Sequence, residues 1–312
     1  MTDTTRAHAV TGAFGFSGKY IARRLLDAGR RVVTFTGSPD RPDPFNGRVE
    51  ARPFAFNDVR AMTESLRDVE VLYNTYWVRF NHPLFSYANA VRNTLALFEA
   101  ARDAGVARIV HVSITGADSA SPLEYFSGKG HLENALKASG INHAIVRPAI
   151  LFGKEDILIN NIAWALRRFP FFTLFGDGKY HIQPIFVDDL AALMVEQGQS
   201  RECVTVNAVG PEDFLYRDLV ATIGDAIDKK RRFISLSPKQ ALRAVNLIGK
   251  LVGDVFITGD EIEALMHNTL HAPGSEPTGA TRLSDWVREH ADSIGRVYHS
   301  ELDRRVHRDR MY

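Results

Sequence analysis

The stretch HAVTGAFGFSGKYIARRLLDAGR, residues 8–30, decides the fold. His8–Thr11 is a short, mostly apolar run that reads as a buried strand, and Ile21, Ala22, Leu25 and Ala28 then recur at helical spacing. Between them stand Gly12, Gly15 and Gly18. Glycines between a strand and a helix permit a tight turn, let the backbone approach a pyrophosphate, and leave the helix N-terminus free to face negative charge. A glycine pattern alone is weak evidence; in this strand–turn–helix setting it is specific. Gly12, Phe14, Gly15, Phe16 and Gly18 are therefore expected to bind a dinucleotide.

Outward from this unit the alternation continues. RRVVTFTG, RVEARPFAF, VEVLYNTYW, ARIVHVSIT and INHAIVRPAILFG read as five further β-rich runs, most of them separated by helix-like stretches. That rhythm predicts an α/β, Rossmann-type, doubly wound parallel sheet. After Gly153 comes one long apolar segment, DILINNIAWALRRFPFF, and from about Pro211 the chain reads as mainly helical. The expected organisation is a dinucleotide-binding domain over 1–153, completed by about 184–210, and a smaller, mainly helical substrate lobe from 154–183 and 211–312.

The bulk properties narrow the partners. The 312 residues are 45% apolar and 24% charged, enough for a sizeable core and a polar surface. With 38 Lys and Arg against 37 Asp and Glu, the net charge of +1 offers no footprint for nucleic acid or an anionic membrane. A small molecule is the expected partner. Cys203 is the single cysteine, which excludes an internal disulfide and a multi-cysteine metal site. The N-terminus lacks a secretory pattern and no run reaches membrane-span length, so the expected location is cytoplasmic.

The spacing TGAFGFSG, with YFSGK downstream, resembles the short-chain dehydrogenase/reductase superfamily. The resemblance runs from residue 1 to about 215 and includes VRPAILFG and QPIFVDDLA, which look like motifs of its extended and atypical branches. It is nearest to the atypical group that includes NmrA-like proteins and an accessory subunit of respiratory complex I. An NAD-binding relative commonly places an acid at the end of the second strand to hold the adenosine ribose. Here Thr36 stands in that place, followed by Ser38 and Arg41, which suit a 2′-phosphate, so NADP(H) is expected in preference to NAD(H). The opposing reading gives the ribose to Asp40 and leaves Arg41 a surface charge. After the third strand, Phe56 is expected against the adenine where relatives often carry an acid, Asp58 being displaced.

Tyr125 and Lys129 are four residues apart in SPLEYFSGKGHLENAL, residues 121–136, and share a helical stripe with Leu132 and Leu136. A lysine on an apolar face costs desolvation unless it finds partners. A cation beside a phenol favours phenolate and brings proton exchange toward working pH. The resemblance implies that Tyr125 is the general acid, that Lys129 assists it and holds the nicotinamide ribose, and that a hydroxyl after the fifth strand binds the substrate oxygen. Ser113 and Thr115 both qualify, because alternate strand residues face one way. The resemblance also places Asn74, Thr75, Pro148 and Ile150 along the nicotinamide side; Arg147 is expected to be a structural ion-pair or backbone-binding residue and not a substrate ligand.

The implied function is hydride transfer between NADP(H) and the carbonyl or alcohol of an apolar or aromatic small molecule. Trp164, His181 and Gln183 are expected along one substrate wall, and Tyr76 and Trp77 along the facing one. Epimerase relatives carry a different motif after the fifth strand. The alternative is a non-catalytic NAD(P)-binding sensor or assembly protein of the NmrA-like or complex I accessory kind. HNTLH places His267 and His271 at i, i+4, but without the Glu of H-E-x-x-H it reads as two ordinary histidines, and no metal is expected. Family habit implies a monomer or homodimer.

Overall fold

The structure, a computed structural model, describes residues 6–39 and 41–306. The chain divides into two compact units, one running to Pro148 and taking in Val187–Ala208, the other comprising Ala149–Phe186 and the residues from Val209 on.

The first unit is built from β1 (Ala7–Thr11), α1 (Phe16–Asp27), β2 (Val32–Thr36), β3 (Val49–Pro53), α2 (Val59–Leu66), β4 (Val69–Asn74), α3 (Tyr87–Asp103), β5 (Arg108–Val112), α4 (Glu124–Ala138) and β6 (His143–Pro148). The second unit then opens with β7 (Ile150–Phe152), α5 (Leu158–Arg168), β8 (Phe171–Phe175), β9 (His181–Ile182) and β10 (Pro184–Phe186). The chain returns to the first unit for α6 (Val187–Gln199) and β11 (Val204–Ala208). The second is completed by β12 (Phe214–Leu215), α7 (Tyr216–Ala226), β13 (Arg232–Leu236), α8 (Pro238–Val252), α9 (Gly259–Met266), α10 (Leu283–Glu289) and α11 (Glu301–Arg305).

Among the described residues of the first unit, seven strands form one parallel sheet in the order β3-β2-β1-β4-β5-β6-β11. β1 and β2 are buried along their whole length, as a sheet covered on both faces requires. Strand order reverses between β1 and β4, and the carboxyl ends flanking such a switch point form the ligand crevice of open α/β sheets. The helices owe their boundaries to local chemistry. Ser86 caps α3 by accepting from the Asn89 amide, and Asp58 caps α2 by accepting from Ala61. Asp58, the acid displaced from the adenine position, is thus a helix cap.

The second unit has its own apolar core, which includes Ile159, Leu166, Tyr216, Leu219, Ile223 and Trp286. Its strands form short pairs: β7 with β10 and β8 with β13 in parallel, β9 with β12 antiparallel. Thr258 and Glu261 make a capping box at the start of α9. That helix ends at Met266, and Asn268 then takes a left-handed φ of 56°. His267 and His271 therefore do not share a helix face: His267 bonds the Glu263 carbonyl through Nδ1, while His271 lies beyond the turn.

Candidate cofactor and proton-transfer site

The glycine loop leaves the carboxyl end of β1 with Gly12 at φ 68°. A Cβ on Gly18 would lie 2.3 Å from the Gly12 carbonyl oxygen, so α1 packs against the loop at a distance only glycine allows. Thr34 on β2 fixes the loop from beneath, accepting from the Ala13 amide at 2.9 Å and donating to the Val10 carbonyl at 2.8 Å. No side chain caps α1 and no acid lies in its first turn, which leaves this N-terminus suited to an anion. Phe14 is buried against Phe45 and is part of the core; Phe16 packs edge-on against Tyr20.

At the end of β2, Thr36 is buried and its hydroxyl accepts from the Ser38 amide at 3.1 Å, while the Arg41 amide donates to the Ser38 carbonyl. Thr36 therefore shapes the turn that carries Ser38 and Arg41. Asp40 lies outside the described residues. Phe56 stacks on Phe54 at 4.4 Å, and Tyr76 packs against both rings. The Tyr76 hydroxyl accepts from Asn93, so this ring joins the aromatic cluster beside Phe56.

At the switch point β1 and β4 are stitched past their last sheet pairing. Thr75 donates from its amide to the Thr11 hydroxyl at 2.7 Å and from its own hydroxyl to the Thr11 carbonyl at 2.6 Å. Asn74 is fully buried, its Oδ1 accepting from the Thr11 hydroxyl and the Tyr76 amide. Its Nδ2 then donates to His111 Nδ1, which places the imidazole proton on Nε2. Burial pushes the His111 pKa well down, and the nearby Lys129 charge adds to this, so the ring is neutral. Sequence reading missed His111; its one signal was a histidine within the apolar run of β5.

Lys129 is 2% exposed, its Nζ donating to the Val112 carbonyl at 2.7 Å and lying 4.4 Å from the centre of the Trp77 ring. Burial pulls its pKa down to about 7, opposed by the charge of Glu133 one turn further along α4. Tyr125 is half-buried and meets the same Trp77 edge-to-face at 5.6 Å, with Tyr87 alongside. Trp77 thus touches both members of the pair. Ser113 and Thr115 continue the pairing with β6, their amides donating to Val146 and Pro148, and both are buried. Their hydroxyls differ. Ser113 donates to Glu133 Oε1 at 2.6 Å, in a buried network where Arg147 grips the same carboxylate with two bonds. The Thr115 hydroxyl is buried with no hydrogen-bond partner among the described residues.

Ile150, Trp164, His181 and Gln183 belong to the second unit. Trp164 is 7% exposed and packs on Phe169 and Tyr298 with Arg168 over its ring, so it fills the core of that unit and does not line a wall. Gln183 is also buried, its amide donating to the Gly210 carbonyl. His181 pairs with Asp213. Among the described residues no helix is long and apolar enough to cross a membrane.

Residues 12–162 match a family model described as NAD(P)H-binding. The chain is 29% identical over 240 residues to the mitochondrial NADH dehydrogenase [ubiquinone] 1 alpha subcomplex subunit 9 of Arabidopsis thaliana, which covers 73% of this chain and 59% of that protein. It is 27% identical to the mitochondrial NADH-ubiquinone oxidoreductase 40 kDa subunit of Neurospora crassa, over 93% of this chain and 77% of that one. Among solved structures, triphenylmethane reductase of Citrobacter sp. complexed with NADP(H) superposes with a TM-score of 0.74 at 18% identity, covering 91% of this chain and 99% of that one, a likeness of fold. With the glycine loop and the sheet order, these matches support a likeness of the chain to the NAD(P)-binding, atypical branch of the short-chain dehydrogenase/reductase superfamily.

Proposed function

We propose that the protein is an NADP(H)-dependent oxidoreductase acting on a carbonyl or alcohol of an apolar or aromatic small molecule. The observation that carries this reading is Lys129, a buried amine at the carboxyl end of β5, sharing Trp77 with Tyr125 one turn away. The chain's residues fit the dinucleotide: the glycine cradle at Gly12, Gly15 and Gly18 leaves room that a Cβ would fill, and α1 has no side-chain cap. Ser38 and Arg41 hold the 2′-phosphate beyond Thr36, and Phe56 covers the adenine. Asn74, Thr75 and Pro148 border the nicotinamide end. NADP(H), when bound, supplies or accepts the hydride.

Tyr125 gives its phenolic proton to the substrate oxygen in reduction and takes it back in oxidation. Lys129 stabilises the phenolate left behind. Thr115, whose hydroxyl has no hydrogen-bond partner among the described residues to give up, donates the hydrogen bond to the substrate oxygen, and Ser113 holds Glu133 in place. Trp77 offers the apolar contact for the ligand. Fluorescence titration with NADPH and NADH, then oxidation of the preferred cofactor against a carbonyl panel, tests the scheme. Tyr125→Phe should lower turnover by about 10²-fold or more with cofactor affinity retained.

One observation favours a second reading. The Lys129 ammonium is already engaged by the Val112 carbonyl and the Trp77 face, an arrangement that also serves a purely structural lysine. The complex I subunits among the relatives agree with a nucleotide-binding assembly or sensor role. Tight NADPH binding with no turnover across the panel would select it.

A further inference from the structure

We propose that His181, Asp213 and His271 form a binding site for a first-row divalent transition-metal ion, with Zn²⁺ the best match. The three come from separate segments of the second unit. β9 carries His181, and its antiparallel pairing with β12 sets His181 opposite Leu215, which brings Asp213, just before that strand, alongside. The turn after α9 supplies His271. Asn268 at the head of that turn locks it to β9, its side chain accepting from the His181 amide at 2.6 Å and its carbonyl accepting from the His271 amide.

The donor atoms converge. Asp213 Oδ2 lies 3.0 Å from His181 Nδ1 and 3.3 Å from His271 Nε2, and all three donor atoms lie within 4.8 Å of one another. Ligands about 2.1 Å from a tetrahedral metal are spaced by roughly 3.4 Å, so two edges already come within a few tenths of an ångström of the span that coordination needs. The imidazoles stack at 4.9 Å with 23° between their planes, and the third edge, between their two donor nitrogens, is no longer than 4.8 Å. Two imidazoles and one carboxylate suit Zn²⁺ and its first-row neighbours, where Mg²⁺ and Ca²⁺ favour oxygen alone. The side chains of His181 and Asp213 are 44% and 38% exposed, which gives an ion a path in and leaves its remaining positions to water. His267, bonded to the Glu263 carbonyl, takes no part.

The site is independent of the oxidoreductase reading. It is tested on the full chain, free of any affinity tag and stripped with chelator, by titration with Zn²⁺ and, for its visible d–d absorption, Co²⁺. One equivalent should bind and raise Tm. Asp213→Asn and His271→Ala should each weaken binding at least tenfold and abolish the Tm shift, with His267→Ala unchanged. Far-UV circular dichroism and the metal-free Tm of each variant report that the chain is folded. Absence of stoichiometric binding, or binding that survives both Asp213→Asn and His271→Ala, would overturn the proposal and leave the three as a hydrogen-bonded cluster.

Discussion

The two hydroxyls after β5 are held so differently that substitution separates them. Ser113→Ala removes a 2.6 Å bond to a buried carboxylate and should cost about 1–3 kcal/mol in chemical denaturation, with any loss of turnover following the loss of structure. Thr115→Val removes a hydroxyl with no partner among the described residues, so stability should hold or rise while, on the oxidoreductase proposal, kcat falls about 10²-fold. Strand alternation could not choose between them, because both face the same side and the deciding partner, Glu133, sits on the next helix. Lys129 makes a prediction in pH. Its folded pKa of about 7 lies below the roughly 10.4 of an unfolded lysine, so between these values the unfolded chain binds more protons and this residue's contribution to stability rises with pH. The Tm of Lys129→Met minus that of wild type should therefore be most positive near pH 6 and decline toward pH 10. A flat difference would mean that Lys129 keeps its charge with an ordinary pKa.

At the scale of elements, the β1–loop–α1 unit is the part most legible in the chain, because its three glycines answer to one geometric demand. A Cβ on Gly18 would run into the Gly12 backbone, which no rotamer change relieves, whereas one on Gly15 would stand 3.1 Å from the same oxygen. Gly18→Ala should destabilise the first unit and abolish NADPH binding. Gly15→Ala should weaken NADPH binding with a Tm close to wild type, since the loop has only a few tenths of an ångström to give. Other elements were less legible for identifiable reasons. HNTLH carries the spacing of a helix, but Asn268 turns left-handed and breaks it, a choice tied to its contact with His181 far earlier in the chain. Trp164 lies in an aromatic-rich segment that suits a ligand wall or a core equally well by pattern. Its packing against Tyr298, distant in sequence, puts it in the core.

Across the whole molecule, the parallel sheet could be anticipated because alternating strands and helices with right-handed crossovers admit few strand orders. The second unit offers no such rule: β9 pairs with β12 and β8 with β13 across long sequence gaps, and two- to five-residue strands carry little periodic signal. The cofactor question also belongs at this scale, because a ligand that binds only the folded chain stabilises all of the structure that unfolds with its site. At a hundredfold excess over Kd the gain is about 2.7 kcal/mol, readable as a rise in Tm. With Thr36 closing the turn and Arg41 beyond it, NADPH should raise Tm more than NADH at equal concentration. Arg41→Ala should remove most of that difference by weakening NADPH alone, since the 2′-phosphate is the one group that the two cofactors do not share. Equal shifts for both cofactors in wild type would return the ribose to a group other than Arg41 and make the protein indifferent to the phosphate. Equal shifts with no turnover on any carbonyl would further favour the assembly or sensor reading, in which bound nucleotide steadies the fold and Tyr125 is never asked to move a proton.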